Sequence, residues 1–325
     1  MQNPNPVLPG DEIRIIAPSD TIKSERQQNY RRAQERLEAL GYKVSYGNYL
    51  DSNIHLGTGH VKERAEDFNK AYADKHVKAV MCLHGGFAAN EILPHINWNM
   101  VRDNPKPLVG YSDITVLLNA LYAKTKTTNF LGPNLGTIGY ENAWEYSLEN
   151  LVAALQQTAP RDLEKSEVWY DSDVEAKTQP WKVLQKGSAE GILLGGNIST
   201  FYLLQGTEYQ PSFDEHFILA LEDDELLGEH TLHGFSRSFE SILQLPNVRK
   251  NLKGVIIGRF ETGSKVNQKD LISVVESKKL TNLPVISNVD FGHTVPMLTL
   301  PIGGQVSINA GSEALIKILT YKVGE

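Results

Sequence analysis

The sequence predicts an α/β fold of two domains, in which a mostly parallel N-terminal sheet with flanking helices precedes a smaller C-terminal α/β unit. Short apolar runs alternate with helical patterns in both halves, and this alternation is typical of parallel strands joined by crossover helices. A length of 325 residues exceeds what one hydrophobic core usually spans. A polar stretch without periodicity, at 163–186, separates the two halves.

The N-terminal half has the pattern of a Rossmann-like domain. We expect strands at 12–17, 42–46, 77–83 and 108–111, and helices at 24–40, 62–73, 88–93 and 113–123. Ser24 is a plausible cap of the first helix and Gly41 its stop. In open parallel sheets, ligands bind beyond the carboxyl ends of the strands. Two turns fall at such ends, one at Gly85-Gly86 and one at Tyr111-Ser112.

The C-terminal half predicts strands at 191–194, 217–221, 254–258, near Val285, at 305–308 and at 314–319, with helices at 198–204, 231–243 and 268–278. The expected division is therefore an N-terminal domain at 1–162, a linker or lid at 163–186, and a C-terminal domain at 187–325. Long segments without secondary structure in compact proteins are often lids or binding loops. This segment carries Trp169, Tyr170 and Trp181.

Composition makes several classes of protein improbable. A net charge of −7 and a pI near 5.8 do not favour phosphate backbones or anionic lipid, so we expect neither a nucleic-acid nor a membrane partner. The N-terminus lacks the pattern of a signal peptide, and no apolar run approaches about 18 residues, so a cytoplasmic protein is expected. The single cysteine, Cys82, lies in an apolar run, where a packing thiol is favoured over a reactive one.

The segment Gly110-Tyr-Ser-Asp113 lies between an apolar strand and an apolar helix. Such a corner places Ser112 at a helix N-terminus, where free N–H groups and the helix dipole favour developing negative charge. Gly110 permits the sharp turn that a nucleophile needs, although the G-x-S-x-G pattern is absent. On this segment alone, a serine that only caps the helix remains the favoured alternative.

Three further segments suggest the parts of a catalytic site. The Gly85-Gly86 turn could supply backbone N–H groups to an oxyanion hole, or be an ordinary turn. Glu222 ends an apolar strand and could orient a histidine, although a solvated acidic turn is the simpler interpretation. His293 lies in a segment constrained by Gly and Pro, which suits a general base as well as a structural histidine.

Other common sites are not indicated. The histidines at 230 and 233 do not form an H-E-x-x-H motif, so no metal site is implied. No G-x-x-x-x-G-K-[ST] sequence is present, and the glycines at 132, 136 and 139 lack the spacing of a dinucleotide fingerprint. We therefore expect no metal and no organic cofactor.

Taken together, the motifs resemble the LD-carboxypeptidase family of serine peptidases, and within it the branch of microcin C self-immunity proteins. Each motif is weak alone, but their joint order is specific. The resemblance rests on V-L-P-G-D-E-I-R-I-I-A-P-S at 7–19, H-G-G-F-A-A-N at 84–90, L-P at 93–94, V-G-Y-S-D-I-T at 109–115, L-G-P at 131–133, L-G-G-N-I-S at 194–199, L-E-D at 221–223 and F-G-H-T-V-P-M-L-T-L-P-I-G at 291–303.

The resemblance implies a catalytic triad of Ser112, Glu222 and His293. It also implies an oxyanion hole formed by the backbone N–H groups of Gly86 and Asp113, and it implies a homodimer. The Asn of the L-G-G-N-I-S motif, Asn197, is a candidate for substrate binding.

Two substrates remain open. Classical members of the family remove the terminal D-alanine from murein tetrapeptides, whereas the immunity branch cuts the amide between an aminoacyl group and a modified nucleotide. The sequence around Ser112 and the long segment before Gly191 favour the second substrate. Trp169 is then the expected stacking contact, and the alternative is that Trp169 packs as a core anchor. A non-catalytic protein that binds a small ligand is the alternative of another class.

Overall fold

The structure, a computed structural model, describes residues 5–54, 58–171, 174–176 and 180–321. The strands in these ranges are β1 (Glu12–Ile16), β2 (Lys43–Tyr46), β3 (Val77–Cys82), β4 (Leu108–Gly110), β5 (Asn129–Leu131), β6 (Arg161–Asp162), β7 (Trp169–Asp171), β8 (Val174–Ala176), β9 (Lys182–Gln185), β10 (Gly187–Asn197), β11 (Phe217–Glu222), β12 (Leu252–Gly258), β13 (Val285–Val289), β14 (Leu300–Ile302), β15 (Gln305–Ala310) and β16 (Ala314–Thr320).

The α-helices in the same ranges are α1 (Gln27–Ala39), α2 (Val61–Ala73), α3 (Trp98–Asp103), α4 (Thr115–Thr125), α5 (Leu135–Ile138), α6 (Trp144–Leu155), α7 (Ile198–Phe201), α8 (Thr231–Leu243), α9 (Val248–Asn251) and α10 (Gln268–Ser277). Short 3₁₀ turns are found at Ser24–Arg26, Ala89–His95, Ser112–Ile114, Tyr202–Leu204, Gly228–His230 and Thr262–Ser264. None of the described helices combines the length and the apolar composition that a bilayer crossing requires.

The first sheet has the strand order β14-β5-β4-β3-β1-β2, and it is parallel except for the antiparallel edge strand β14. Its central strand β3 is buried at every position except Lys78, as expected of a strand covered on both faces. Helix α1 buries Tyr30, Ala33 and Leu37, whose spacing places them on one face of a helix. This architecture confirms the predicted α/β class with a mostly parallel N-terminal sheet.

The second sheet has the order β6-β16-β15-β10-β11-β12-β13-β9. Its middle strands β10 to β13 are parallel, and the flanking strands are antiparallel. β10 spans 187–197 and not only the predicted 191–194, because its first half pairs with β15 and its second half pairs with β11. Parallel strands of both sheets end beside the candidate active site.

Three strands connect regions that the sequence assigns to different domains. β6, within 1–162, and β9, within 163–186, both belong to the second sheet, whereas β14, within 187–325, completes the first. The division at 163–186 stays a prediction, and these strands show how closely the parts on either side of it interlock. Helix α6 was not predicted, although its buried Leu148, Leu151 and Leu155 have helical spacing.

The two sheets are joined through helix α4. The side-chain amide of Asn119 donates to the carbonyl of Gly195 at 2.8 Å and accepts from its N–H at 3.1 Å. Thr115 Oγ1 accepts from the N–H of Asn197 at 3.0 Å. These bonds tie the helix that follows β4 to the strand that lies beside β11.

Cys82 is fully buried, which confirms a packing thiol, and burial raises the pKa of this thiol.

Both tryptophans of the segment 163–186 are anchored on a buried ion pair. Arg259 and Asp290 approach to 2.5 Å with almost no exposure of either side chain. Trp181 Nε1 donates to Asp290 Oδ2 at 2.7 Å, and the guanidinium of Arg259 lies 5.0 Å from the centre of the Trp169 ring. Trp169 is only 4% exposed. The segment is thus fastened to the second sheet at these two positions.

We expect Trp169→Ala to destabilise the protein by about 3–5 kcal/mol. The substitution removes a buried indole that packs on a guanidinium, and its removal leaves a cavity. Thermal unfolding measures the effect. Trp98→Ala is a matched control, since Trp98 is half-buried and packs on Tyr209 elsewhere in the protein. An unchanged melting temperature for Trp169→Ala would contradict the role of this residue as an anchor.

Candidate active site

A cavity of about 920 Å³ opens where the carboxyl ends of the two parallel strand sets meet. Ser112 and His293 line it, together with Gly85 and Gly86 from the turn after β3. Strands β3 and β4 thus contribute from the first sheet, and the loop after β13 contributes from the second. We refer to this cavity as the crevice. Its position agrees with the general location of ligand sites in parallel sheets.

Ser112 occupies a tight corner between β4 and the 3₁₀ turn that leads into α4. Its φ angle of 61° lies in the left-handed region, which is uncommon for a residue with a side chain and is often found at functional sites. Neither the 3₁₀ turn nor α4 has a side-chain capping bond at its start. The interpretation of Ser112 as a simple helix cap is therefore wrong. Its Oγ lies 3.0 Å from Nε2 of His293.

His293 links the serine to a carboxylate. Its Nδ1 lies 2.8 Å from Glu222 Oε2. Because a carboxylate only accepts, Nδ1 carries the proton in the neutral form of the ring, and Nε2 then presents a lone pair to the hydroxyl of Ser112. The ring of Tyr111 packs edge-on at 5.4 Å between ring centres and limits rotation of the imidazole. Burial disfavours the charged ring, but the carboxylates of Glu222 and Glu261 outweigh burial and raise the pKa of His293 to about 9.

Glu222 is fully buried at the end of β11, so the alternative of a solvated acidic turn is wrong for this residue. Two glycines pack closely against it. A Cβ added to Gly258 would lie 2.8 Å from Glu222 Cβ, and one added to Gly292 would lie 2.8 Å from Glu222 Oε2. Glu222 alone supplies a hydrogen-bonding carboxylate to His293 among the described residues, since the neighbouring Asp223 binds Ser199 instead.

The double-glycine turn fits between two serines. A Cβ on Gly85 would lie 2.8 Å from Cβ of Ser112, and a Cβ on Gly86 would lie 2.5 Å from Oγ of Ser19. Gly86 also has φ 152°, which side chains disfavour. Within the described part of the chain, the N–H groups of Gly86 and Asp113 donate to no acceptor. Free N–H groups of this kind can stabilise an oxyanion.

Two predicted substrate contacts lie outside the lining of the crevice. Asn197 is 2% exposed, and its Oδ1 accepts from the N–H of Thr200 at 3.1 Å, so its side chain caps α7. Asn197 pairs in register with Glu222, and its Nδ2 has no hydrogen-bond partner among the described residues. Trp169 packs on Arg259 and does not line the crevice. This packing favours the alternative that Trp169 is a core anchor, and its contact with the substrate stays a prediction.

Arg26 and Glu261 are among the charged residues that line the crevice and that the sequence did not single out. Glu261 follows β12, so its position after a buried parallel strand was an available signal. Burial, assisted by the charge of Glu225, raises the pKa of Glu261 to about 7. The carboxylates of Asp171, Glu225 and Glu261 lie within 4.8 Å of one another and are partly exposed. One oxygen of Glu261 already accepts from the N–H of Glu225 at 3.0 Å.

Comparison with known proteins gives two family matches. Residues 13–132 match the LD-carboxypeptidase N-terminal domain, and residues 190–308 match the LD-carboxypeptidase C-terminal domain. The two ranges cover most of the chain, and they include Ser112, Glu222 and His293.

Curated relatives agree with these matches. A putative carboxypeptidase of Treponema pallidum is 37% identical over 94% of this chain and 91% of its own length. The microcin C7 self-immunity protein MccF of Escherichia coli is 29% identical over 94% of this chain and 92% of its own. A murein tetrapeptide carboxypeptidase of Pseudomonas aeruginosa is 27% identical over 76% of each chain.

Solved structures show the same fold. An MccF-like protein from Bacillus anthracis superposes with a TM-score of 0.94 at 34% identity, covering 99% of this chain and all of that one. MccF in complex with glutamyl sulfamoyl guanosine superposes with a TM-score of 0.86 at 27% identity, covering 98% of both chains. On the domain matches and the 37% identity over nearly the whole chain, this protein belongs to the LD-carboxypeptidase family.

Proposed function

We propose that this protein is a serine carboxypeptidase or amidase in which Ser112 attacks an amide carbonyl. The observation that carries the proposal is the continuous chain of hydrogen bonds from Ser112 through His293 to Glu222. The buried end of this chain is a carboxylate, and the open end is a hydroxyl in a crevice. A protein that only binds ligands has no need for this order of groups.

In the first half of the reaction, Ser112 Oγ forms a bond to the carbonyl carbon while its proton passes to Nε2 of His293. The imidazolium that forms is stabilised by the adjacent carboxylate of Glu222. The carbonyl oxygen becomes an oxyanion, which accepts from the N–H groups of Gly86 and Asp113. The C–N bond then breaks, and His293 returns the proton to the leaving amine.

In the second half, a water molecule attacks the acyl-enzyme and gives its proton to Nε2 of His293. The second tetrahedral intermediate collapses, the acyl group leaves as a carboxylic acid, and the proton returns to Ser112. Each oxyanion donor typically contributes about 3 kcal/mol to stabilisation of the transition state. Ser112 has a left-handed backbone, and in this conformation its hydroxyl lies 3.0 Å from Nε2 of His293.

For the substrate, we propose an amide that joins an aminoacyl group to a modified nucleotide. Support comes from the related MccF structures, whose ligands include glutamyl sulfamoyl guanosine and aspartyl sulfamoyl adenosine. The second candidate is a murein tetrapeptide, supported by the relative from Pseudomonas aeruginosa. The buried position of Trp169 favours this second candidate, since it removes one expected base-stacking contact. A side-by-side assay of an aminoacyl-sulfamoyl adenosine and a murein tetrapeptide on the purified protein decides between them.

We expect Ser112→Ala to lower kcat by about 10⁶ on whichever substrate the wild type cleaves, because the nucleophile is lost. Ser188→Ala is a matched control, since Ser188 is an exposed serine of β10 outside the crevice. Thermal unfolding of both variants checks that the fold is intact. Activity of Ser112→Ala above a tenth of the wild-type value would disprove the proposed nucleophile.

The pH dependence tests the base. His293 must be neutral to accept a proton, and its pKa is raised to about 9, so kcat/KM should increase as the pH rises from 7 toward 9. Glu222→Gln removes the strongest charge that favours the imidazolium. It should therefore shift the rising limb of the profile of kcat/KM against pH to lower pH, and it should also lower kcat. Glu261→Gln should move the limb in the same direction by a smaller amount.

Glu229→Gln is the control for this profile, because Glu229 pairs with Lys265 at the surface and does not line the crevice. Its limb should coincide with that of the wild type. A wild-type limb below pH 7, or a limb that Glu222→Gln leaves in place, would contradict the assignment of His293 and Glu222.

A further inference from the structure

The side chain of Asp113 has a feature that the proposed chemistry does not use. Asp113 follows Ser112 directly, yet it is only 3% exposed and its carboxylate does not line the crevice. Its Oδ2 accepts from the hydroxyl of Ser19 at 2.5 Å and from the N–H of Ala89 at 2.8 Å. A buried carboxylate requires such partners, and removing it would leave both donors unsatisfied.

The partners of Asp113 lie on two sides of the double-glycine turn. Ala89 begins the 3₁₀ turn that follows the double-glycine turn. Ser19 lies just after β1, the strand that pairs with β3. The hydroxyl of Ser19 also lies within 3.5 Å of the N–H of Ala88. The same oxygen lies 2.5 Å from where a Cβ on Gly86 would be, so Ser19 forms the wall behind this glycine. Asp113 thus binds Ala89, just after the double-glycine turn, and Ser19, which packs behind Gly86.

Arg64 binds the same two stretches of backbone by their carbonyl groups. Its buried guanidinium donates to Pro18 at 2.7 Å and to Ala88 at 2.8 Å, and it also pairs with Glu91. Asp113 therefore holds hydroxyl and N–H donors, and Arg64 holds carbonyl acceptors, on residues 18–19 and 88–89. Burial raises the pKa of Asp113, while the bonds from Ser19 and Ala89 and the charge of Arg64 oppose this rise.

We propose that the carboxylate of Asp113 is a positioning residue for the oxyanion hole, acting through Ser19 and Ala89 on the N–H of Gly86. Asp113 then has two separate functions. Its backbone supplies one oxyanion donor, and its side chain sets the distance to the other. The inference rests on the proposed function, because it takes Ser112 as the nucleophile and Gly86 as a donor.

The expected signature is a loss of kcat with little change in KM. Loss of one oxyanion donor typically costs 10²–10³ in kcat, and a misplacement of about 1 Å can cost about 10². We therefore expect Asp113→Ala to lower kcat about 100-fold and to change KM less than about threefold. Asp113→Asn keeps an acceptor oxygen for both donors, so it should retain kcat within about tenfold. Ser19→Ala removes one of the two bonds and should lie between these variants.

The experiment measures kcat, KM, melting temperature and the second-order rate of labelling by a fluorophosphonate on the full-length protein. A phosphonyl oxygen occupies the same position as the oxyanion, so labelling rates should fall in parallel with kcat. Asp67→Ala is the matched control. Asp67 is a buried carboxylate that accepts from the N–H groups of Asn48 and Tyr49, both at 2.8 Å, away from the crevice. The Asp67→Ala variant should have a lower melting temperature than the wild type, but the same kcat and the same labelling rate.

The proposal is wrong if folded Asp113→Ala keeps kcat within threefold of the wild type, or if Asp67→Ala loses as much kcat and labelling as Asp113→Ala does. Should Asp113→Ala not fold, Ser19→Ala and Asp113→Asn decide. Equal kcat and labelling in Ser19→Ala and the wild type would overturn the proposal. Failure of the proposed function is recognised separately, because Ser112→Ala would then retain activity whatever the Asp113 variants do.

Discussion

The 3.0 Å hydrogen bond between Ser112 and His293 is the interaction on which the site depends, because it joins residues of two different sheets. Neither sheet supplies all residues of the proposed triad, since Ser112 follows β4 of the first sheet and Glu222 ends β11 of the second. The bond can form only if the sheets are held in a fixed relation. Helix α4 provides this relation, since it starts just after Ser112 and Asn119 binds Gly195 through both polar groups of its amide.

Close packing of backbone around these side chains is the second constraint. Gly85 contacts Ser112, and Gly258 and Gly292 contact Glu222, at distances that exclude a Cβ. The backbone at these three glycines can therefore approach Ser112 and Glu222 more closely than residues with side chains could. Rigid placement of this kind suits a mechanism that relies on orientation and on fixed dipoles, because neither has to be rearranged during the reaction.

Much of this site could be predicted from the sequence, since its residues occupy the ends of strands that local patterns reveal. The strands that end at or just before Gly85, Ser112 and Glu222 were predicted within one or two residues, and the family resemblance pointed to the three residues that are hydrogen-bonded in the structure. The environment of Trp169 could not be predicted in this way. The segment around it is mostly polar and has no periodicity, so the pattern indicated a loop, whereas its partner Arg259 lies 90 residues further along the chain.

The side chain of Asp113 shows the same limit. The family resemblance implied a role for its backbone N–H, but its carboxylate binds Ser19, which is 94 residues away. Strand β14 was also not predicted, because it has three residues and one of them is Pro301. Local periodicity carries little information about a three-residue strand that contains a proline, or about which distant partner a buried polar group binds.

Strand β14 has a consequence for how the protein is made. It is an edge strand of the first sheet, yet it lies after His293 in the chain and pairs with β5, about 170 residues earlier. While the ribosome synthesises the chain, the first sheet can assemble five of its strands but must leave the polar groups of β5 unpaired on that side. An open edge of this kind favours association with other chains. The strand that covers the edge emerges from the ribosome only after the histidine, so protection from aggregation and completion of the proposed triad depend on the same late stretch of translation.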